Sequence, residues 1–479
     1  MRRWSIFVSI IVIIFICKEY VICVDSFDDI ITKSESEESL IYGTQLNTNL
    51  TSCKAKAIGN STTLRIASEQ INLARMRAGR AFRGFFPDIR FQWKEDTGET
   101  ITDPYKAENY GIRVIQPLFS FGSIGLNYRG EMLGFKSARI NYEKVKRELM
   151  LEVAKAYWNV VRQKMKESIW SEAIEQIKPY ALLAEREYKV EGITKLEFGT
   201  AKLVFDEAST QLKITENELE VAWLALRHVM GVDPFSEIMV DSEFRREIYR
   251  IPYTLEQCNK MALTNSPQVE SAEIVLSLND YRRKSVNATR WPQISMEVAA
   301  GRSGEAYTTE PLDLVETWSV MGRARWSFWG NTLGFSYDEG KTNPTEIVDT
   351  SVRTHSMTNT VEVSLLDSLA VGVNRREAEV VYQQAKDNLK NTRDKTILAI
   401  TDAYRRYQNA MERMILEERR AELSGNRAKI VTQQKMIDER TTSDVMQAIL
   451  EVARARSFYT DSMYEYYVAL STLESLIYK

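Results

Sequence analysis

Two periodicities alternate along the chain, and they do so twice. In the first half Ile89, Phe91 and Trp93 alternate with Arg90, Gln92 and Lys94, and Tyr110, Ile112 and Val114 stand opposite Gly111, Arg113 and Ile115. Alternation with period two gives a strand one apolar and one wetter face. In the second half Ile294, Met296 and Val298 alternate with Gln293, Ser295 and Glu297, and Val361, Val363 and Leu365 with Thr360, Glu362 and Ser364. Helical periodicity follows each strand region. From Leu126 to Val190 only Pro179 interrupts, and 65 residues of helix would run roughly 98 Å. Gly192 and Glu439 mark hairpin turns. Beyond them the core positions step by three and four: Phe198, Ala201, Phe205, Ala208, Leu212, Thr215, Leu219, Ala222, Leu226 and Val229, then Val445, Ala448, Val452, Ala455, Tyr459, Ser462, Tyr466, Ala469, Leu473 and Leu476. Such a seam, with small residues at several positions, predicts closely packed coiled-coil hairpins.

The two halves are copies of one unit. Ser61–Ile89 parallels Ser266–Ile294 at an offset of 205, and from Leu118 onward the offset is 247, pairing Gly125 with Gly372, Ala156-Tyr157 with Ala403-Tyr404, and Thr194 with Thr441. The fold expected is mainly α with a small β part, each repeat being a strand pair plus one long antiparallel helical hairpin. The boundaries expected are 61–234 for the first repeat, with strands about 88–119 and hairpin about 124–230, 235–254 for a connection, and 255–479 for the second. The second repeat should hold strands at about 292–366 and a hairpin at about 372–478. A polar segment over 25–60, with Glu35, Glu37 and Glu38, reads as a linker.

The change of offset locates an insertion of 42 residues among the strands of the second repeat. It carries a clean alternation, Trp318, Val320, Gly322, Ala324, Trp326 and Phe328 against Ser319, Met321, Arg323, Arg325 and Ser327, then Leu333, Phe335 and Tyr337 after a turn near Gly330-Asn331. Its two segments preserve up-down parity and would suit an added strand pair, but a long surface excursion is the simpler expectation.

Composition sharpens this picture in two places. The 479 residues carry a net charge of −3, with 44% apolar and 27% charged side chains, which argues against disorder and against a polytopic helical membrane protein. Only 10 Pro and 21 Gly occur, as long uninterrupted helices require. The apolar run Ile6–Ile16 after Arg2 and Arg3 reads as a signal peptide over 1–24, too short for a membrane helix. Among possible lipid-attachment cysteines, Leu50-Thr51-Ser52-Cys53 fits best but lies far from that run. Two histidines and four cysteines offer no metal site, and no cofactor is expected. Gly334–Thr342 approaches a phosphate-binding loop but has five residues between its glycines and precedes no helix. The tyrosines 459, 464, 466 and 467 read as seam packing. No catalytic constellation emerges, so an enzyme is not expected.

A secreted chain whose strands are aromatic on one face and polar on the other matches the pattern of a transmembrane β-barrel. So few strands cannot close alone, and an open edge in lipid leaves backbone groups unsatisfied, so several chains must share one wall. Residues 61–479 resemble the TolC-like outer-membrane efflux proteins, or outer membrane factors. The resemblance is carried by Gln116-Pro117-Leu118-Phe119-Ser120-Phe121-Gly122, Val153-Ala154-Lys155-Ala156-Tyr157-Trp158, Met230-Gly231-Val232-Asp233-Pro234 and Thr441-Thr442-Ser443-Asp444-Val445, together with Leu255-Glu256-Gln257 and Asn265-Ser266-Pro267. It implies a homotrimer forming an α-helical barrel continuous with a transmembrane β-barrel of, usually, four strands per chain. It further implies an outer-membrane location with a periplasmic tunnel, and a passive exit duct of a tripartite efflux or type I secretion system. The partners implied are a periplasmic adaptor (membrane fusion) protein, an inner-membrane pump and outer-membrane lipid, with no nucleic acid. The alternative is a secreted periplasmic structural coiled-coil protein without channel activity.

The same resemblance points to the hairpin tip as a gate. Arg440 and Asp444 match the family's tip charges, Glu197 is the first-repeat equivalent of Asp444, and Gln447 stands where the family places an acid. Pairing of Arg440 with Asp444 could hold the tunnel shut, and a ring of carboxylates would favour cations.

Overall fold

The computed structural model describes residues 49–99, 104–236, 244, 250–307, 311–342, 354–437 and 439–477. The expected signal segment and residues 25–48 of the expected linker lie outside these. The remainder of that linker is ordered as helix α1 (Leu50–Asn60), whose Cys53 and Ala57 are buried. Helix α2 (Thr62–Arg83) follows directly, with Ser61 capping it by accepting from the Leu64 N–H. Strands β1 (Asp88–Glu99) and β2 (Pro104–Phe119) lead into α3 (Ser123–Lys189) and α4 (Lys195–Val229). The second repeat runs α5 (Leu255–Asn265), α6 (Pro267–Ala288), β3 (Gln293–Tyr307), β4 (Val315–Phe328), β5 (Asn331–Thr342), β6 (Thr354–Ser364), α7 (Leu369–Met436) and α8 (Thr442–Ile477).

Helices α3 and α7 have 67 and 68 residues, each about 100 Å at 1.5 Å per residue. Pro179 is accommodated inside α3. The hairpins α3–α4 and α7–α8 pack side by side, with α8 against α3, α4 and α7. The repeat is visible in single hydrogen bonds. Asn60 Nδ2 donates to the Met230 carbonyl at 3.4 Å, and its counterpart Asn265 donates to the Ile477 carbonyl at 3.0 Å. Each bond ties the α1–α2 or α5–α6 junction to the end of a hairpin, so α2 and α6 continue alongside α3 and α7 where α4 and α8 stop. Cys53 and Cys258 are equivalent in the same way, and both are fully buried free thiols.

The hairpin core has two apolar clusters. One gathers Val153, Tyr157, Val161, Leu226, Ile400, Tyr466 and Leu473, the other Trp170, Ile177, Ala208, Val445 and Leu450. Between them along the helices lies a buried polar layer of Gln163, Thr215, Ser457, Thr460 and Ser462. The hydroxyls satisfy themselves on their own helices, Thr215 on the Gln211 carbonyl and Thr460 on the Arg456 carbonyl. Gln163 Oε1 meets no protein donor.

The strands form one antiparallel sheet in the order β1-β2-β3-β4-β5-β6. The 42-residue insertion is therefore no surface excursion: β4 and β5 are hydrogen-bonded into the sheet between β3 and β6, Val298 opposite Val320 and Phe335 opposite Val361. Parity explains it. An inserted down-up pair leaves β6 running as it would have run beside β3, so the ladder continues unbroken. The hairpin turn is Trp329-Gly330, with φ of 47° and 82°, the type I′ geometry whose twist suits a two-residue connection. It lies at the helical end, where the Ser368 N–H donates to the Gly330 carbonyl.

Candidate functional site

The strand register sorts the sheet into two faces. Ile89, Phe91, Ile112, Val114, Val298, Val320, Trp318, Phe335, Val361 and Val363 share one, and most are exposed, Phe91 at 72%. No soluble core covers this surface. Aromatic side chains gather at both its margins. At the helical end Phe121 stacks on Trp291, Trp326 lies against Phe328, and Trp329 is 93% exposed. Eight residues up β4 from Trp326 stands Trp318, about 26 Å along the strand. At a barrel strand's tilt of about 40° this spans about 20 Å of height, comparable with the roughly 25 Å apolar band of a membrane barrel. Every strand has 11 to 16 residues, enough for a tilted crossing. Among the described residues no helix is long and apolar enough to cross a membrane.

The opposite face is polar and mixes charged side chains such as Lys94, Asp96 and Arg113 with small ones. Gln92, Asn109, Gly111, Ala299, Gly301, Ser303, Thr317 and Ser319 line a concave hollow of about 560 Å³. Nearer the helices Glu297, with only 12% of its side chain exposed, bridges two arginines, Arg113 Nε at 3.3 Å and Arg323 Nη2 at 3.6 Å. Strand-by-strand reading finds each residue but not this triad, because β2, β3 and β4 meet only through the ladder. The strand β5 that holds Gly334–Thr342 is part of this wall, which leaves no helix N-terminus for a phosphate.

The outer strands β1 and β6 each pair on one side only, so the sheet ends in two open edges. With six strands in antiparallel order, the two edge strands β1 and β6 run in opposite directions.

At the far end of the helices, a hollow of about 530 Å³ between the hairpin tips brings together Gly192, Glu197, Glu439, Arg440 and Asp444, with Glu187, Lys435 and Thr442. Gln447 is on α8 but outside this lining. The turn after α3 uses Glu191 at φ 56°, and Gly192 donates to the Glu187 carbonyl at 2.7 Å. Glu197 and Asp444 do the same local job. Glu197 completes a capping box with Thr194, each accepting the other's backbone N–H at 2.9 and 3.2 Å. Asp444 and Thr441 repeat it at 3.1 and 3.2 Å. The Arg440–Asp444 pair is not formed within the chain: Arg440 Nε donates to Gln434 Oε1 at 3.3 Å. The link that sequence reasoning missed is Thr442 Oγ1 to Glu187 Oε2, 3.2 Å, which joins the two hairpins. No short-range signal announces a contact across 255 residues.

Among the described residues no group of three or more His, Cys, Asp or Glu side chains is placed to hold a metal ion. Burial pushes the Cys53 thiol up to about 11, and Cys258 in the same direction, so neither is a nucleophile near neutral pH.

Residues 55–232 match the model of the outer membrane efflux protein family. No curated protein matches the chain by sequence. Solved structures share its fold along nearly the whole length. The Campylobacter jejuni CmeC outer membrane channel is 14% identical, with a TM-score of 0.71 over 93% of this chain and 90% of that one. The Vibrio cholerae outer membrane protein VceC is 13% identical, TM-score 0.69, over 89% and 95%. The open state of the Neisseria gonorrhoeae MtrE outer membrane channel is 12% identical, TM-score 0.69, over 89% and 88%.

Proposed function

We propose that this chain, whose first repeat belongs to the outer membrane efflux protein family, is the passive exit duct of an envelope-spanning export system. The carrying observation is the joining of two incompatible surfaces in one chain. A sheet with an exposed apolar band and two open edges demands lipid and partner strands, while hairpins of about 100 Å demand an aqueous compartment of that depth. Three copies closing edge to edge satisfy both. The lateral helix edges support this. On α7 Leu416, Leu423 and Ile430, seven apart, are exposed, as are Leu196 and Leu203 on α4. These stripes have the spacing of a coiled-coil seam awaiting a neighbour.

In this arrangement the sheets form an outer-membrane barrel and the hairpins a periplasmic tunnel. In this reading an inner-membrane pump supplies the energy and hands cargo on through an adaptor that meets the hairpin tip. Both tripartite efflux and type I secretion use such a duct. Envelope fractionation tests the proposal. The protein should leave the outer membrane only with detergent, migrate as a heat-labile trimer, and conduct ions in planar bilayers. Recovery as a soluble monomer would reject it in favour of a periplasmic scaffold.

A further inference from the structure

We infer that β6 of one copy pairs with β1 of the next in a fixed register, Val361 opposite Trp93 and Val363 opposite Phe91, and that Glu362 ion-pairs with Arg90 of the next copy across this junction. The inference rests on the edge-to-edge arrangement above and specifies its contacts.

The duplication supplies the register. Strands β1 and β3 are equivalent at the offset of 205, and β2 and β6, followed back from Leu118 and Leu365, at 247. The β2–β3 ladder joins the end of one repeat to the start of the following one, and β6 stands in the same relation to β1 of the next copy. Moving the pairs Val114–Val298 and Gln116–Met296 by those offsets gives Val361–Trp93 and Val363–Phe91. Apolar-face residues then meet apolar-face residues, and luminal residues meet luminal ones. The four apolar side chains are exposed on the single chain, Trp93 at 61% and Val361 at 65%. Aromatic and β-branched residues opposite one another stabilise a ladder.

Sheet geometry supports the same register. From Ile89 the ladder partners run through Val114, Val298, Val320 and Glu339 to Met357. Met357 then meets Thr97 of the next copy, eight residues further along β1 than Ile89. Six spacings of about 4.8 Å against eight residues of about 3.4 Å tilt the strands by about 43°, within the range of about 35–45° for membrane barrels. Slips of two residues give about 35° or 50°, at and beyond those limits. A slip of one turns every side chain of β6 to the wrong face.

The luminal charges agree. Arg90 and Arg113 stand directly opposite across β1 and β2, a repulsive placement that flanking acids relieve. Arg113 reaches Glu297 on the diagonal, two residues from its direct partner Ala299. Glu362 faces Gln92 of the next copy, and the same diagonal leads from it to Arg90. Within its own chain Glu362 lies opposite Gly334, which offers no side chain. Among the described residues it makes no ion pair, and it accepts a 3.5 Å hydrogen bond from Ser364 Oγ. Arg90 keeps Asp88 on Nη2 at 2.6 Å, so the junction holds one base between two acids, the inverse of Arg113–Glu297–Arg323.

Cysteine cross-linking in isolated outer membranes tests the register, with Cys53 and Cys258 buried and silent. Q92C/E362C sets two thiols directly opposite across the junction, and oxidation should yield a covalent trimer on denaturing gels. Q92C/T360C and Q92C/S364C report slips of two, and at more than about 7 Å their thiols should stay unlinked. Linkage of a slipped pair, or of no pair in a particle that is still a trimer, would overturn the inference and leave the exit duct standing. A monomeric wild-type particle would overturn both. R90Q and E362Q should each lower the temperature at which the trimer dissociates in detergent, and the double variant should lose clearly less than their sum. Strictly additive losses would reject the ion pair.

Discussion

Thr442 Oγ1 donates to Glu187 Oε2 at 3.2 Å, tying the first turn of α8 to the last turns of α3. It joins the hairpin tips within a chain beside the apolar packing of Val445 and Met446 with Ala184 and Ala201. Removing the carboxylate in Glu187→Ala should therefore loosen the tip. A hydrogen bond to a charged group contributes about 1.5–3 kcal/mol when shielded and less at a half-exposed position, so a shift toward the open state of up to about tenfold is expected. Single-channel recording would show it as longer or larger openings. Unchanged traces would mean that closure is held between chains.

The capping boxes separate structural from electrostatic roles at the tip. Thr194→Ala and Thr441→Ala should each cost about 1 kcal/mol, read as a lower denaturation midpoint. Asp444→Asn retains a capping oxygen while deleting the charge. It should leave the midpoint nearly unchanged and weaken cation preference in reversal-potential measurements. A large loss of stability with unaltered selectivity would mark Asp444 as a cap and nothing more.

Glu297 offsets part of the charge of Arg113 and Arg323 on the polar face of the sheet. Glu297→Gln leaves both guanidinium groups uncompensated, adding three positive charges to the lumen of a three-copy barrel. The reversal potential should move toward anion preference, and the effect should fade as salt rises. Arg323→Gln in the same background should reverse much of it.

Burial raises the Cys53 thiol from 9.0 to about 11 and moves Cys258 the same way. The folded state then holds its thiol protons more tightly than the unfolded chain. The stability this confers is complete below pH 9 and is lost as pH rises through about 11. Maleimide at pH 8 should label neither thiol in the native protein and both after denaturation. A denaturation midpoint that holds constant from pH 8.5 to 11 would contradict the burial seen for both residues.

Gln163 lies 3% exposed with Oε1 lacking a protein donor. Replacing such a group by an apolar side chain of similar volume relieves its desolvation cost. Gln163→Leu should raise stability by about 1 kcal/mol in chemical denaturation, unless the polar layer is needed for tip movement, in which case conductance falls at the same time.

Much of the fold was legible because its signals are local and repeated. The strand alternation in Ile89–Trp93 and Trp318–Phe328, the long helices with Pro179 alone inside α3, and the duplication all survive in the structure. The seam on α4 also held: Ala201, Ala208, Thr215, Ala222 and Leu226 are buried. On α8 the seam described only part of the buried surface. Met446, Ile449, Ala453, Ser457, Thr460 and Met463 are buried as well, because α8 touches both hairpins at once. A single helical stripe has no way to report a second neighbour. The insertion was misjudged for a related reason. Alternation shows that a segment can pair, but which strand it pairs with is decided by parity across the whole sheet. The α1 helix was hidden because Leu50–Asn60 is short and polar, its existence depending on two small buried positions, Cys53 and Ala57. At the tip, the type of residue does not reveal the local bonding: Asp444 spends its oxygen on the Thr441 N–H and Arg440 donates to Gln434.

The chain enters β4 and leaves β5 at the end of the sheet away from the helices, and only the Trp329-Gly330 turn reaches back to them. Both repeats therefore keep the same helix-to-strand junctions whether or not the pair is present. Wall circumference and tunnel geometry are thus encoded in separable stretches of sequence. A lineage could widen or narrow its pore by gaining or losing one hairpin-coding segment, with no compensating change in any coiled-coil seam.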